Sequence, residues 1–174
     1  MSVNLSARQL AGSQLVRATA DALTRHALDP ARLVLEITET AVMGDADAAL
    51  EVLLELKSLG VQLSIDDFGT GYSSLAYLRR LPLDELKIDR SFISDMLTGR
   101  AGHTIVASCV NLGHALDLRV VAEGIETVEQ RAALANLGCD IGQGYLLARP
   151  ATAEDVGRRL SRNIQPATRS DGLS

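Results

Sequence analysis

The chain has 174 residues, about one domain's worth, and a hydrophobic content of 47%, which excludes wholesale disorder. A formal net charge of -5 argues against a protein whose main task is to grip nucleic acid, because phosphate binding needs a basic surface. With no Trp and 3% aromatics, a stacking platform for single strands is disfavoured as well. Cys109 and Cys139 are too few for a disulfide framework and stand in no C-x-x-C or zinc pattern. No apolar run of about 18 residues and no basic-then-apolar leader is evident. The expected setting is a reducing cytoplasm, with no membrane segment and no nucleic acid polymer as partner.

In chain order, β-rich runs at 3–5, 33–37, 61–65, 85–88, 118–122 and 139–141 alternate with stretches of helical spacing. The clearest predicted helix covers 45–59. Asp45 can cap it, Ala49, Leu50, Leu53 and Leu56 form one stripe, and Gly60 stops it. A short helical segment over 73–81 closes at Pro82. Further helices are predicted over 104–116, over 127–137 with a Thr127/Gln130 capping box, and after Thr152, which pairs with Asp155. Residues 161–174 read as a loose polar tail behind a single domain over 1–160.

Strand–helix alternation specifies an α/β fold with parallel strands and right-handed crossovers. About six βα units fit either a doubly wound open sheet or a (β/α) barrel. Asn4, Glu36, Asp66, Asp67, Lys87, Asp89 and Glu123 all fall at or just past the C-terminal ends of predicted strands. In a barrel those ends form one mouth, where groups from different strands meet. In an open sheet only the pair at the switch point would meet. The barrel accounts for more of these residues, although a full barrel takes eight strands and about 250 residues.

Seven carboxylates, on Glu36, Glu39, Asp66, Asp67, Asp89, Glu123 and Glu126, face one nearby cation, Lys87. They cannot all stay ionised in a shared cleft unless something neutralises them. Carboxylates and an Asn carbonyl are hard oxygen ligands, suited to Mg²⁺, Mn²⁺ or Ca²⁺. Neighbours on an extended strand point to opposite faces, so Asp66 and Asp67 can share a site only where the strand ends. The expected turn is Phe68-Gly69-Thr70-Gly71. Paired metals there would drive in-line attack on a phosphate ester, with Lys87 orienting water or stabilising charge on the phosphoryl oxygens. Phosphodiester hydrolysis is the reaction class that follows.

Each residue also has a plainer reading. Asn4 could cap a helix, Glu36 and Glu39 could be strand-end surface charges, and Lys87 could simply pair with Asp89. Glu126 and Glu129 could be acids favoured by a helix dipole. His26, His103 and His114 lack metal-ligand spacing. Gly69-x-Gly71 lacks the third glycine of a dinucleotide fingerprint, and Asp67-Phe68-Gly69 lacks the companion segments of a kinase.

Six segments in order carry a family resemblance: VNLS at 3–6, LEITET at 35–40, DDFGTGYSSL at 66–75, LKIDRSFI at 86–93, VVAEGIET at 120–127 and GQGYLLARP at 142–150. Together they resemble the EAL domain, the bacterial phosphodiesterase family that hydrolyses cyclic di-GMP to linear pGpG. The resemblance implies a modified (β/α)8 TIM-type barrel, here incomplete, with Mg²⁺ or Mn²⁺ as cofactor and cyclic di-GMP as partner. It implies that Asn4, Glu36 and Asp66 ligate a first metal, and that Asp67 helps to hold a second with Asp66 bridging. Lys87 would contact the attacking water, Glu123 would be a second-site ligand or general base, and Gln143 would orient water or substrate. Glu39 would anchor the DDFGTG loop, near which the family commonly forms a homodimer. Asp89 and Glu126 would complete the polar network with substrate or second-metal contacts.

One departure accompanies the match. The family's Glu-Ala-Leu signature belongs upstream of VNLS, and no such signature precedes Asn4. The expectation is a domain lacking its first two strands, one ligating Glu, and a Leu and an Arg that contact substrate. Losing a charged ligand weakens metal binding. Six strands would also leave two unpaired edges and an exposed apolar interior. The competing reading is a non-catalytic module that binds cyclic di-GMP or a protein partner.

Overall fold

The structure, a computed structural model, describes residues 1–12, 14–69 and 75–163. Thr70 and Gly71 of the expected turn, residues 73 and 74 of the expected helical segment and residues 164–174 of the expected tail lie outside the described residues, while 161–163, also expected in that tail, are helical. Six strands run in chain order: β1 (Ser2–Leu5), β2 (Val34–Thr38), β3 (Gln62–Phe68), β4 (Glu85–Ile88), β5 (Arg119–Ala122) and β6 (Ile141–Gly142). Between and after them lie α1 (Ala7–Leu10), α2 (Leu15–Arg25), α3 (Glu39–Met43), α4 (Ala46–Ser58), α5 (Leu75–Leu78), α6 (Arg90–Asp95), α7 (Arg100–Ala115), α8 (Val128–Asn136) and α9 (Ala153–Asn163).

Every pairing is parallel, and the spatial order of the strands is their chain order. A doubly wound sheet reverses its order at a switch point. This sheet has no reversal, so it is an arc of a (β/α) barrel, and all six C-terminal strand ends lie along one rim. Capping chemistry starts the helices that leave this rim. Thr38 caps α3 through the Ala41 N–H at 3.3 Å, and Asp89 caps α6 through the Ser91 N–H at 2.9 Å. Asp45 caps α4 as predicted, and Thr127 with Gln130 forms the expected capping box on α8. Helix α7 begins at Arg100 rather than at 104, and α2 answers to no individually predicted helix.

The strand register sorts the side chains onto two faces. Leu35, Ile37, Leu63, Ile65, Leu86, Ile88, Val120 and Ala122 face the helices and join one continuous apolar core. The opposite, concave face carries Asn4, Glu36, Gln62, Ser64, Asp66, Glu85, Lys87 and Arg119. This corrects the expectation of an apolar interior. Most barrels fill that space with branched apolar side chains, whereas here the inner face is largely polar, with Val121 a buried apolar exception in register with Lys87.

Helix α7 packs against β4 and β5. Gly113 allows its close approach, because a Cβ there would sit 2.4 Å from Val120 Cγ2. Overpacking of this kind costs about 1–3 kcal/mol. The expected result for Gly113→Ala is therefore a lower urea midpoint at an unchanged slope. An unshifted midpoint would show that α7 can move away from β5 without cost.

Candidate active site

Four adjacent strands deliver one cluster to the C-terminal rim. Glu36 comes from β2, Asp66 from β3, Lys87 from β4, and Glu123 directly follows β5. The Lys87 Nζ lies 2.6 Å from Glu123 Oε1, 2.9 Å from Glu36 Oε2 and 3.3 Å from Asp66 Oδ1. Lys87 is 4% exposed and Glu36 8%. The Glu123 N–H donates to the Ile88 carbonyl at 3.2 Å, which extends the β4–β5 ladder and fixes Glu123 beside the lysine.

The electrostatics follow from this geometry. Burial alone would pull the Lys87 pKa down, but hydrogen bonds to Glu123 and Glu36 and the charges of Glu123 and Asp66 outweigh it and hold the ammonium above the ordinary lysine range. Burial pushes the Glu123 carboxyl up. Lys87 opposes that rise, and Asp66 and Glu36 reinforce it. The plainer reading of Lys87 as a partner of Asp89 therefore fails. Asp89 is engaged by the Ser91 hydroxyl and by backbone N–H groups at the start of α6, which lower its pKa against a smaller opposing effect of burial.

Asp66 and Asp67 reach the rim by a route that differs from the expected turn. Strand β3 continues to Phe68, and Ile65 pairs with Leu86 while Phe68 pairs with Ile88. Three steps on β3 thus face two on β4, so one residue is extra, as in a β-bulge. Asp67 takes φ +55, in the left-handed region that Asp tolerates better than most residues, and its N–H donates to Asp66 Oδ1 at 3.0 Å. Burial, Asp66 and Asp89 raise the Asp67 pKa, and Lys87 opposes them. Glu39, 3% exposed, accepts the Gly69 N–H at 3.2 Å through Oε2 and so ties α3 to the end of β3.

The remaining predicted residues divide into two groups. Glu126 and Gln143 join Glu123, Arg90 and Tyr145 around a cavity of about 160 Å³ beside the lysine cluster. Gln143 is held there by its own backbone, which donates to Ala122 and accepts from Ile125. Asn4 lies on β1 in register with Glu36, on the same face and exposed. It caps no helix, because Ser6 forms the capping box of α1 with Gln9. Sequence reasoning passed over Glu85 and Arg119, which pair on the inner face at 2.8 Å. The available signal was the polar period of two at Gln62, Ser64 and Asp66 and at Glu85 and Lys87.

The donors suit a hard divalent cation. Glu36, Asp66, Asp67 and Glu123 offer carboxylate oxygens, Asn4 offers an amide oxygen, and one ammonium does not balance the four acids. Among the described residues no three acids stand ready around a point free for an ion. Their point of convergence is held by the Lys87 ammonium, and they would have to turn from it toward a metal.

A polar centre at the C-terminal rim of a (β/α) barrel arc stands where barrel enzymes carry their catalytic groups. The EAL domain profile matches residues 1–150, and the chain belongs to the EAL domain family. MucR of Pseudomonas aeruginosa, a bifunctional diguanylate cyclase/cyclic di-GMP phosphodiesterase, is 52% identical over 156 residues, which are 90% of this chain and 23% of MucR. The cyclic di-GMP phosphodiesterase NbdA of the same organism is 45% identical over 173 residues, 98% of this chain and 22% of NbdA. The chain thus spans less than a quarter of the length of these curated relatives. Among solved structures, the PaMucR phosphodiesterase in its c-di-GMP complex gives a TM-score of 0.86 at 52% identity over 89% of this chain and 63% of that one. Klebsiella pneumoniae BlrP1, in a manganese/cyclic di-GMP complex, gives 0.80 at 36% identity over 86% and 38%. No helix among the described residues is long and apolar enough to cross a membrane.

Removing one partner of a buried ionic cluster costs about 3–5 kcal/mol. Lys87→Met in metal-free buffer is therefore expected to lose stability of that order at neutral pH. The raised pKa of Lys87 keeps its contribution fully present there. As the pH is lowered toward about 4, Glu123, whose carboxyl burial pushes up, takes up its proton, and one of the charges that need the ammonium disappears. The penalty measured by urea titration should shrink accordingly, and an equal penalty at both pH values would contradict the cluster.

Proposed function

We propose that this chain is the catalytic portion of a metal-dependent cyclic di-GMP phosphodiesterase that releases linear pGpG in cytoplasmic second-messenger signalling. The observation that carries the reading is the buried Lys87 ringed by Glu36, Asp66 and Glu123 at the barrel rim. The names of MucR and NbdA support the substrate, and the manganese complex of BlrP1 supports the cofactor. Asn4, Glu36 and Asp66 would hold one Mg²⁺ or Mn²⁺, and Asp67 and Glu123, together with Asp66, would hold a second. Bound there, such ions lower the pKa of water and offset charge on a phosphoryl group.

The chain's own groups divide the remaining work. Lys87, fixed by three acids, presents a cation to the attacking water and the phosphoryl oxygens. Glu123, whose pKa burial raises, is the group assigned to take the proton of the water. Gln143 and Glu126 line the adjoining cavity and position the substrate. Glu39 holds the Gly69 end of the loop that follows Asp67. The open edges of β1 and β6 suit a unit over residues 1–160 that forms six strands of an eight-stranded barrel.

Incubation with cyclic di-GMP and Mn²⁺ or Mg²⁺, followed by chromatography, should yield the linear dinucleotide, and chelator should stop it. Asp66→Ala should leave less than about a tenth of the rate. Glu123→Gln should lower kcat by about 10²-fold or more. Cyclic di-GMP bound by folded protein without any product would overturn the catalytic reading in favour of a binding module.

A further inference from the structure

We propose that Arg119 is a positioning residue for the Lys87 centre: by pairing with Glu85, it keeps that carboxylate from drawing the Lys87 ammonium away from Glu36, Asp66 and Glu123. The inference rests on the proposed phosphodiesterase reading only for its activity readout. Glu85 and Lys87 stand two residues apart on the same face of β4, roughly 7 Å along the strand, within reach of a lysine side chain. Glu85 is 8% exposed, so it is a further buried carboxylate within reach of Lys87. It is instead occupied from the next strand. Arg119 is its register partner on β5, and Arg119 Nη2 lies 2.8 Å from Glu85 Oε1. The same nitrogen donates to Gln62 Oε1 on β3, which seats the guanidinium across three strands.

The two ionic layers are otherwise separate. Ser64 lies in register with Glu36 on one side and Glu85 on the other, is fully buried, and its Oγ has no hydrogen-bond partner among the described residues. Among the described residues no ion pair joins Arg119 or Glu85 to the upper cluster, so their influence on it must pass through the choice Lys87 makes. Burial raises the Glu85 pKa and Arg119 lowers it. Glu36 and Asp84 raise it further, and Lys87 lowers it. Without Arg119, an unpaired buried carboxylate would lie beneath the ammonium, and a charge so placed recruits the nearest cation.

The chain has two lysines, Lys57 and Lys87. Lysine-selective ¹³C/¹⁵N labelling therefore reports Lys87 directly. Lys57, paired with Asp84 at 2.8 Å, reports whether the fold is intact. In Arg119→Gln the Lys87 side-chain resonance should move while that of Lys57 stays, and turnover of cyclic di-GMP should fall about tenfold. The double variant Glu85→Gln/Arg119→Gln should return the resonance to its original position and the rate to within about threefold. Glu85→Gln alone should leave both unchanged.

A folded R119Q with an unmoved Lys87 resonance overturns the proposal, as does a displacement that E85Q fails to reverse. If R119Q does not fold, a folded E85Q/R119Q with the original Lys87 resonance upholds it, because the unpaired Glu85 is then the cause. An unfolded double variant overturns it. Should the unaltered chain not hydrolyse cyclic di-GMP, the phosphodiesterase reading fails by itself, and the resonances still decide the role of Arg119.

Discussion

A single buried ammonium sets the terms for this structure. Lys87 is almost wholly removed from solvent, and a charge in that position is tolerated only with opposite charges in hydrogen-bond contact. Three carboxylates meet the need, each from a different part of the chain. They can do so only if β2, β3, β4 and β5 are adjacent, parallel and in register. A slip of one residue in any strand would turn its acid toward the apolar layer. The ionic cluster and the sheet topology therefore specify one another.

The division of the sheet into an apolar outer face and a polar inner face extends that logic. Helices α4 and α7 cover the outer face, and the core runs continuously beneath them. The inner face carries two ionic layers, with Lys87 in the upper and the Glu85–Arg119 pair in the lower. A regular strand could send only one of two adjacent acids to the upper layer. The extra residue in β3 breaks the alternation and places Asp67 beside Asp66, Lys87 and Asp89 at the rim. Glu39 then fixes the chain immediately beyond, at Gly69.

Much of this was legible in the sequence. The alternation of strand and helix gave the parallel fold, and polar residues at strand ends favoured a barrel over a doubly wound sheet. The strand order carries that choice through. What escaped had physical causes. The bulge at Asp67 leaves no compositional mark, because it depends on the partner strand being one residue shorter. Helix α2 buries only Thr19 and Leu23, too sparse a stripe to stand out. Glu85 and Arg119 open their strands, at the ends opposite the rim, and a rule that looks only for acids at the C-terminal ends passes over a polar layer below them. The plainer reading of Asn4, as a helix cap, arose because the true cap, Ser6, lies two residues further on.

The proposed function asks the acids of several strands to share one centre between the Lys87 ammonium and divalent cations. That shared centre is the claim on which the functional account stands. Paramagnetic Mn²⁺ added to lysine-labelled protein tests it most directly, since an ion at the rim must lie beside Lys87 and away from Lys57 on α4. The account predicts that the Lys87 resonance broadens and vanishes first while that of Lys57 persists. A Lys87 resonance untouched by Mn²⁺, or both resonances lost together, would contradict it.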